Sequence, residues 1–440
     1  MKKFFSLFLF LLIGAVLVWK WKSLGTQIHL APAEIVGGVF RTEDPAPGRL
    51  YYLTSQWEKR VSRIGTRSSS TRTVGWLNID LWEIDAATAQ PVVRRRIKQA
   101  KVHGDSKALG LEQGILWARI PELVGIRVSD GQIVADSAKI EARNPSLAGF
   151  MPKPPQAGYF LTDSMQPLKF SAQTGMLVRL DDARVMRIDP LTLEATPHVE
   201  AKAANQSAEG PEASTPVYGM APVSPANGMD WYAMVRGLAI EKSGGKEWIG
   251  LLAEPDLAML QERHVVTHQM DFTVPRRQRL YRAEIETVQE FLGLRTVYKN
   301  PAVLPESPEF LMAGLLTQGP GGYGQQSALW RREPDSVFVL SRDRLGEDGR
   351  LQLSRVTGPK GAPAWSTALP LSNMSAWLPG ERHALMLGPA PSAEHSPMAE
   401  ENENPAQHIL SIDLQTGAIQ SFNPDLHRDW PAEGNPAPAS

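Results

Sequence analysis

The chain has 440 residues, 42% of them hydrophobic and 21% charged, which is enough for two or three ordinary domains or one large domain. Its 46 Lys and Arg residues nearly balance its 47 Asp and Glu residues, and a net charge of −1 argues against a nucleic-acid-binding protein. The absence of cysteine excludes disulfides, thiolate zinc sites, iron–sulfur clusters and cysteine nucleophiles. The 36 Gly and 35 Pro residues indicate many turns and favour β structure.

The chain begins with an apolar segment. Residues Phe4 to Trp19 carry no charge and have lysines on both sides. As a helix this run would extend about 24 Å, a little less than the ~30 Å hydrocarbon core of a bilayer. Trp21 and Lys22 stand where a signal peptidase requires small residues, so residues 1–22 favour a retained membrane anchor over a cleaved signal peptide. We therefore expect a single-pass inner-membrane protein with its main domain in the periplasm; a soluble periplasmic protein after cleavage is the alternative.

Composition divides the rest of the chain. Residues 23–50 are polar and are predicted to be a flexible linker, whose root-mean-square reach as a random coil would be roughly 30 Å. The main domain is predicted to span residues 51–430, with flexible insertions at 200–228 and 389–407. The tail, residues 431–440, is predicted to be disordered.

Local periodicity predicts an all-β domain. Short alternating runs predict strands at Leu77 to Leu81, Met186 to Ile188 and Leu410 to Ile412. The one convincing helix candidate after the anchor is Glu254 to Arg263.

A repeated motif carries the most information. The pattern I-D-x-x-T closes an alternating strand three times, at residues 84–88, 188–192 and 412–416. An Asp at the first position of a turn can accept hydrogen bonds from backbone N–H groups two and three residues later, so each copy predicts a hairpin turn. Looser versions occur at residues 128–131, 240–245 and 356–361.

The spacing of these turns predicts a propeller. Most neighbouring copies lie about 45 to 60 residues apart, as expected for four-stranded blades, and the longer gap suggests one degenerate repeat near Val297 to Asn300. We therefore predict a single β-propeller of about seven, or eight, four-stranded blades, preceded by an N-terminal transmembrane or signal helix.

Two tryptophans support the propeller by resemblance. Trp248 and Trp365 each follow a Gly by four positions, in Gly244-Gly245-Lys246-Glu247-Trp248 and Gly361-Ala362-Pro363-Ala364-Trp365. This partly resembles the docking motif D-x-x-T-G-K-x-x-W of quinoprotein-type propellers, in which the ring packs between neighbouring blades. The resemblance implies a fold; a quinone and a calcium ion, which that enzyme class binds, have no identifiable ligands in this sequence.

Other segments resemble an uncharacterised family of Gram-negative envelope β-propellers. They are Asp80 to Asp85, Trp248 to Leu252, Arg344 to Gly346 and Leu351 to Val356. The resemblance implies a propeller in the cell envelope and brings no activity with it.

Two segments contain residue types that can carry chemistry. His264 and His268, four residues apart, would share a face and could ligate a metal with a third group, but the intervening Val-Val-Thr favours a strand with two partly exposed histidines. Gly319 to Gly324 matches neither a P-loop nor a dinucleotide fingerprint, so it predicts a flexible loop, in which Tyr323 could contact a partner.

Two basic runs allow two interpretations. The first comprises Arg94, Arg95, Arg96, Lys98 and Lys101, and the second comprises Arg276, Arg277, Arg279 and Arg282. On a strand, Arg94 and Arg96 share one face and Arg95 takes the other. A solvated strand edge is the favoured interpretation, and a patch for anionic lipid or an acidic partner is the alternative.

The sequence therefore predicts a membrane-tethered periplasmic propeller that acts as a binding or scaffold module without catalysis. No catalytic, cofactor-binding or metal-ligating residue is assigned, no cofactor is expected, and the binding residues stay unassigned. The expected partners are an envelope protein or polymer and the inner membrane, with no nucleic acid. The alternative is a propeller enzyme with calcium in the central channel, either a lactonase-like hydrolase or a quinoprotein-like oxidoreductase.

Overall fold

The structure is a computed structural model. It describes residues 27–42, 45–46, 48–64, 70–100, 106–152, 167–171, 174–198, 234–235, 237–242, 245–263, 276–290, 293–316, 336–346, 349–391 and 407–424. The predicted anchor, the tail 431–440, the two histidines His264 and His268 and the segment Gly319 to Gly324 lie outside these residues. Within them, no helix is both long enough and apolar enough to cross a membrane.

The described residues form an all-β structure, as predicted. Antiparallel strands are arranged in six successive units, of which the first has six strands. Unit 1 consists of β1 (Gln27–Leu30), β2 (Glu34–Ile35), β3 (Phe40–Thr42), β4 (Arg49–Ile64), β5 (Ser70–Asp85) and β6 (Pro91–Ala100). β4 and β5 have 16 residues each and pair along their whole length, which makes them the longest hairpin of the described chain.

The predicted flexible linker, residues 23–50, contains three short strands in the structure. β1, β2 and β3 lie one after another along β4, pairing with its residues from Val61 back to Arg49. The physical reason is a minority of apolar side chains that the polar composition obscured. Val36 and Phe40 pack against the cluster between units 1 and 2, and Val39 packs against the cluster between units 1 and 6.

Units 2 and 3 are four-stranded sheets. They consist of β7 (Lys107–Glu112), β8 (Ile115–Ile120), β9 (Glu122–Arg127) and β10 (Ile133–Asp136), then β11 (Leu168–Ser171), β12 (Gly175–Arg179), β13 (Val185–Ile188) and β14 (Ala195–Pro197). Helix α1 (Ser137–Arg143) follows β10. Asp136 is its N-cap, and the Asp136 side chain accepts a hydrogen bond from the backbone N–H of Lys139. A 3-10 turn, Pro145–Leu147, follows the helix.

Units 4 and 5 belong to one nine-stranded sheet. Their strands are β15 (Met234–Val235), β16 (Gly237–Lys242), β17 (Gly245–Leu252), β18 (Arg277–Glu290), β19 (Gly293–Val303), β20 (Phe310–Leu316), β21 (Ser336–Arg342), β22 (Leu351–Thr357) and β23 (Ala362–Ala368). The units, β16–β19 and β20–β23, are joined where Arg277 and Gln278 pair with Leu311 and Phe310. Helix α2 (Glu254–Arg263) follows β17, and the helix predicted at these residues is confirmed.

Unit 6 consists of β24 (Ala376–Leu378), β25 (His383–Pro389), β26 (Gln407–Asp413) and β27 (Ile419–Phe422). The strands predicted at Leu77 to Leu81, Met186 to Ile188 and Leu410 to Ile412 are confirmed as parts of β5, β13 and β26.

Most buried apolar clusters of the described residues lie between two units, and one lies within unit 4. Buried apolar clusters join units 1 and 2, units 2 and 3, units 4 and 5, and units 5 and 6. A fifth cluster joins the last unit to the first, where Leu385 and Phe422 pack with Tyr52 and Trp82. Burying apolar faces between sheets is the main stabilising contribution of such an arrangement.

The described units number six, whereas the turn spacing predicted about seven blades. The turn at residues 240–245 caused the difference. It joins the first two strands of unit 4, β16 and β17, whereas the I-D-x-x-T turns join the third and fourth strands of their units. The segment Val297 to Asn300, predicted as a degenerate repeat, lies inside β19.

Candidate functional site

The three I-D-x-x-T copies form the same turn. Oδ1 of Asp85 accepts hydrogen bonds from the backbone N–H groups of Ala87 and Thr88, both at 3.0 Å. Asp189 and Asp413 accept the equivalent pairs at distances of 2.7 to 3.0 Å. The residue four positions after each Asp has positive φ: Ala89 at 55°, Leu193 at 59° and Gly417 at 73°. The predicted hairpin turn is confirmed, and these carboxylates are used to hold the backbone.

The carboxyl groups of Asp189 and Asp413 have lowered pKa values. Backbone hydrogen bonds, first that from Thr192, lower the pKa of Asp189. Burial alone would raise the pKa of Asp413, but the hydrogen bonds from Thr416 and Gln415 outweigh burial and lower it. A carboxyl group whose pKa is lower in the folded than in the unfolded chain stabilises the fold above its unfolded pKa, about 3.9, and this contribution disappears as the pH falls through the folded pKa.

We expect Asp189→Ala to lower the free energy of unfolding by about 1 kcal/mol at pH 7, because two backbone N–H groups lose their acceptor. The difference from the wild type should begin to shrink below about pH 4, where the carboxyl group of the unfolded chain becomes protonated, and should disappear as the pH falls through the lower pKa of the folded chain. Urea unfolding at pH 7, 5 and 3.5 measures both effects, with the exposed Glu122→Ala as control. A variant that is as stable as the wild type at pH 7 would contradict the assigned hydrogen bonds.

One turn is covered by a tryptophan of the preceding unit. Nε1 of Trp365, on β23, donates to the carbonyl oxygen of Leu414 at 3.3 Å. Its ring lies against Gly417, and Oγ1 of Thr367 donates to the carbonyl oxygen of Gly417 at 3.0 Å. Trp365 therefore packs between neighbouring units, as the resemblance implied. Trp248 instead packs within unit 4, edge-on against Tyr298 at 5.2 Å between ring centroids.

Other side chains make similar contacts with the turn of a neighbouring unit. Four other third-to-fourth turns, or the residues beside them, receive hydrogen bonds from another unit or from the helix end that follows it. The bonds are Arg95 Nη1 to Val128 O at 3.2 Å, Asn144 Nδ2 to Leu193 O at 2.8 Å, Arg282 Nη2 to Gly358 O at 3.4 Å and Ser411 Oγ to Ala86 O at 2.7 Å. The last bond joins unit 6 to unit 1.

The contact between the Trp365 ring and Gly417 can be tested with a matched pair of glycine substitutions. Gly417 and Gly358 have nearly the same φ, 73° and 75°. A Cβ on Gly417 would lie 2.7 Å from the Trp365 ring, whereas a Cβ on Gly358 would meet nothing within 4 Å. We expect Gly358→Ala to cost about 1 kcal/mol through backbone strain and Gly417→Ala about 2–4 kcal/mol, because the latter also displaces the indole ring. Equal losses in denaturant unfolding would show that Trp365 does not rest on the turn.

The three arginines of the first basic run do not lie on a solvated strand edge, so that prediction is wrong for them; Lys98 is exposed, and Lys101 lies outside the described residues. Arg94 and Arg96 share one face, as predicted, but that face is buried and both guanidinium groups bind the carboxylate of Asp80, whose side chain is 0% exposed. Arg95, on the other face, pairs with Glu83 at 3.3 Å. A buried carboxylate requires such partners because an unpaired buried charge is costly.

Polar side chains extend this cluster along the same face of unit 1. Gln56 Oε1 accepts from Arg94 at 3.1 Å, and Asn78 donates from Nδ2 to Glu58 at 2.9 Å. Burial would raise the pKa of Glu58, but the hydrogen bonds from Asn78 and Arg60 outweigh it and lower the pKa. We call Gln56, Glu58, Asn78, Asp80, Arg94 and Arg96 the polar cluster. The alternation of polar residues on β4 and β5 was the only sequence signal for it.

The second basic run fits the predicted solvated strand more closely. Arg277 is 66% exposed and pairs with Glu309 at 2.7 Å, and Arg279 is exposed. Arg276 pairs with Asp256 of helix α2 at 3.4 Å, and Arg282 lies 3.7 Å from Glu247.

A second charged group lies where units 6 and 1 meet. His383 Nε2 is 3.8 Å from Oδ2 of Asp413, and burial, partly offset by that carboxylate, lowers the pKa of His383. Arg41, from β3, donates to the carbonyl oxygens of His383 at 2.6 Å and Leu378 at 3.3 Å. Arg41 thereby holds the first unit to the last.

These arrangements bind strands and units together. In the described part of the chain, no three His, Asp or Glu side chains gather closely enough to hold a metal ion. Models of known protein families give no match to the chain, and a search of curated proteins finds no similar sequence.

Proposed function

We propose that the six units form a closed ring, a six-bladed β-propeller. The support is the order of the contacts: each described interface joins units that are neighbours in sequence, and the remaining one joins unit 6 to unit 1. The first strands of units 1 and 2 also run in the same direction where Gly37 and Ala108 form a parallel bridge. A ring leaves no unit with an uncovered apolar face, which accounts for one large domain.

The two ends of the proposed ring differ. In a four-stranded meander, the first-to-second and third-to-fourth connections share one end, here called the turn end, and the remaining connections share the other, the insertion end. Most turn-end connections are as short as Glu112 to Ile115 or Asp85 to Pro91, although residues 317–335 are an exception. The insertion end carries the connections 137–167, 198–236, 253–276 and 390–406.

This asymmetry carries the functional proposal. Long loops on a rigid scaffold are where binding residues concentrate, whereas the short turns are used to dock neighbouring units. We infer that the protein is a membrane-tethered periplasmic propeller acting as a binding or scaffold module without catalysis, and that its insertion end holds an envelope protein or polymer. The predicted insertions 200–228 and 389–407 both belong to this end.

A matched pair of exposed residues in unit 3 tests the proposal. Phe150 is 40% exposed in the connection before β11, at the insertion end, and Leu191 is 67% exposed in the turn before β14, at the turn end. A photoreactive phenylalanine analogue is placed at either position of the full-length chain, and cells are irradiated. We expect the same crosslinked envelope component in repeated experiments from position 150 and none from position 191. Crosslinks from position 191 alone, or from neither position, would contradict the proposal.

A further inference from the structure

One aromatic side chain is held exposed at the insertion end. Phe150 lies in the connection between helix α1 and β11 and is 40% exposed, more than any other aromatic side chain of the described residues. The chain on either side of it is anchored in the core between units 2 and 3, where Leu147 is 0% exposed and Met151 is 5% exposed. A Cβ added at the adjacent Gly149 would meet nothing within 4 Å, so the surface beside Phe150 is open.

A hairpin turn of unit 3 places a cation on this ring. The turn joins β12 to β13, and Cζ of Arg184 lies 5.4 Å from the centroid of the Phe150 ring. Arg184 is held by two hydrogen bonds, from Nε to Oδ2 of Asp182 at 2.7 Å and from Nη2 to the carbonyl oxygen of Ser146 at 3.3 Å. Ala183, between them, has a φ of 69°, which is strained for a residue with a Cβ. Backbone strain of this kind is concentrated at ligand-binding sites.

Carboxylates surround the ring. The backbone N–H of Asp181 donates to the carbonyl oxygen of Phe150 at 3.0 Å, so this exposed aspartate begins next to the ring. Glu141 of helix α1 accepts a hydrogen bond from the backbone N–H of Gly149 at 3.1 Å. We give the name platform to five residues: Glu141, Phe150, Asp181, Asp182 and Arg184. The platform has three carboxylates and one guanidinium, so its net charge is −2.

This composition selects a class of ligand. The net negative charge of the platform repels an anionic polymer, and the guanidinium on the Phe150 ring repels a cationic side chain from the same place. A neutral ligand with an apolar face and several hydroxyl groups meets both conditions. A β-1,4-linked glucose-type sugar has this structure: its substituents are equatorial, so its axial C–H bonds form an apolar face that packs on an aromatic ring, while its hydroxyl groups donate to carboxylates.

We propose that the platform binds a neutral β-1,4-linked sugar chain, with one sugar ring stacked on Phe150 and a hydroxyl group donating to the carboxylate of Asp181. The inference rests on the proposed function and deepens it, because it names the chemistry of the envelope polymer that the insertion end holds.

Saturation-transfer NMR on the full-length chain in detergent micelles tests the stacking, with chitotetraose, a neutral β-1,4-linked tetrasaccharide, as the probe. We expect transfer to the axial C–H protons of the sugar. Phe150→Leu retains an apolar side chain but loses the flat ring, so transfer should fall about fivefold, whereas Phe150→Tyr should retain it. The control is Leu191→Ala, which removes an exposed apolar side chain at the turn end and should change nothing. Absence of transfer with the wild type, or equal transfer with Phe150→Leu, overturns the proposal.

The polar contact has its own pair of variants. Asp181→Asn should weaken the binding of chitotetraose about threefold, because a neutral amide oxygen accepts a hydroxyl hydrogen bond less strongly than a carboxylate does. Glu122→Gln, an equal charge change at an exposed position of unit 2, should leave binding unchanged. Equal losses in the two variants reject the contact with Asp181.

The choice of ligand is tested with charged probes of similar length. Stronger transfer to tetragalacturonate or to a tetralysine peptide than to chitotetraose overturns the assignment of a neutral sugar. If chitotetraose does not bind but position 150 still crosslinks an envelope protein, the sugar site is rejected and the proposed binding module stands. If neither is observed, both proposals fail.

Discussion

Asp80→Asn is expected to lower the free energy of unfolding by about 3–5 kcal/mol, because the substitution leaves two guanidinium groups without their buried counter-charge. Asp80 is 0% exposed, Arg94 is 3% exposed, and Arg94 binds the carboxylate through Nε at 2.9 Å and Nη2 at 2.5 Å. Arg96 binds the other oxygen. Asn has nearly the same shape as Asp, so the loss measures charge and hydrogen bonding rather than a cavity.

The control is an arginine–carboxylate ion pair whose two side chains are exposed to solvent. Glu194 pairs with Arg143 at 3.1 Å, and both side chains are more than half exposed, at 59% and 57%. Glu194→Gln should change the free energy of unfolding by less than about 1 kcal/mol, since water screens the pair. Denaturant unfolding of both variants at pH 7 makes the comparison. A loss below 1 kcal/mol for Asp80→Asn would mean that the polar cluster is open to water.

Local chemistry made part of this fold predictable. The I-D-x-x-T turns need only an Asp at the start and a hydroxyl three residues later, and these contacts lie within five residues of one another, so the sequence contains all of the information. The alternating strands and the helix Glu254–Arg263 were predictable for the same reason. What Trp365 touches was predictable only by resemblance, because its partner Leu414 is distant in sequence.

Contacts between strands were not predictable. Arg94 and Arg96 look like a solvated strand edge because a basic run has the same appearance whether water or a carboxylate faces it. Only the pairing of β5 with β6 brings Asp80 opposite Arg96. Similarly, residues 27–42 have the composition of a linker, and their strand structure depends on pairing with β4. The described units are fewer than the predicted blades because one hairpin signal joins the first two strands of its unit, and connectivity within a sheet has no local signature.

Trp82→Ala is expected to cost about 3–5 kcal/mol and to loosen the contact between the first and last units. Trp82 is 1% exposed and stacks with Tyr52 of its own unit at 6.3 Å between centroids. Its ring also meets Phe422 of unit 6 at 5.9 Å, so truncation leaves a cavity at this interface. Nε1 of Trp82 donates to Oγ1 of Thr54 at 3.0 Å, and that hydroxyl would lose its partner.

Trp248→Ala provides the comparison that separates closure of the proposed ring from general stability. Trp248 is 2% exposed and packs within unit 4, so its truncation should lower the free energy of unfolding by a similar amount. Native-state hydrogen exchange then reports where each variant opens. In Trp82→Ala, amides of β26 and β27 should exchange at least tenfold faster than in Trp248→Ala, because unit 6 has lost its contact with unit 1. If the two variants show the same exchange in these strands, then unit 6 does not depend on unit 1, and the ring is not closed by this interface.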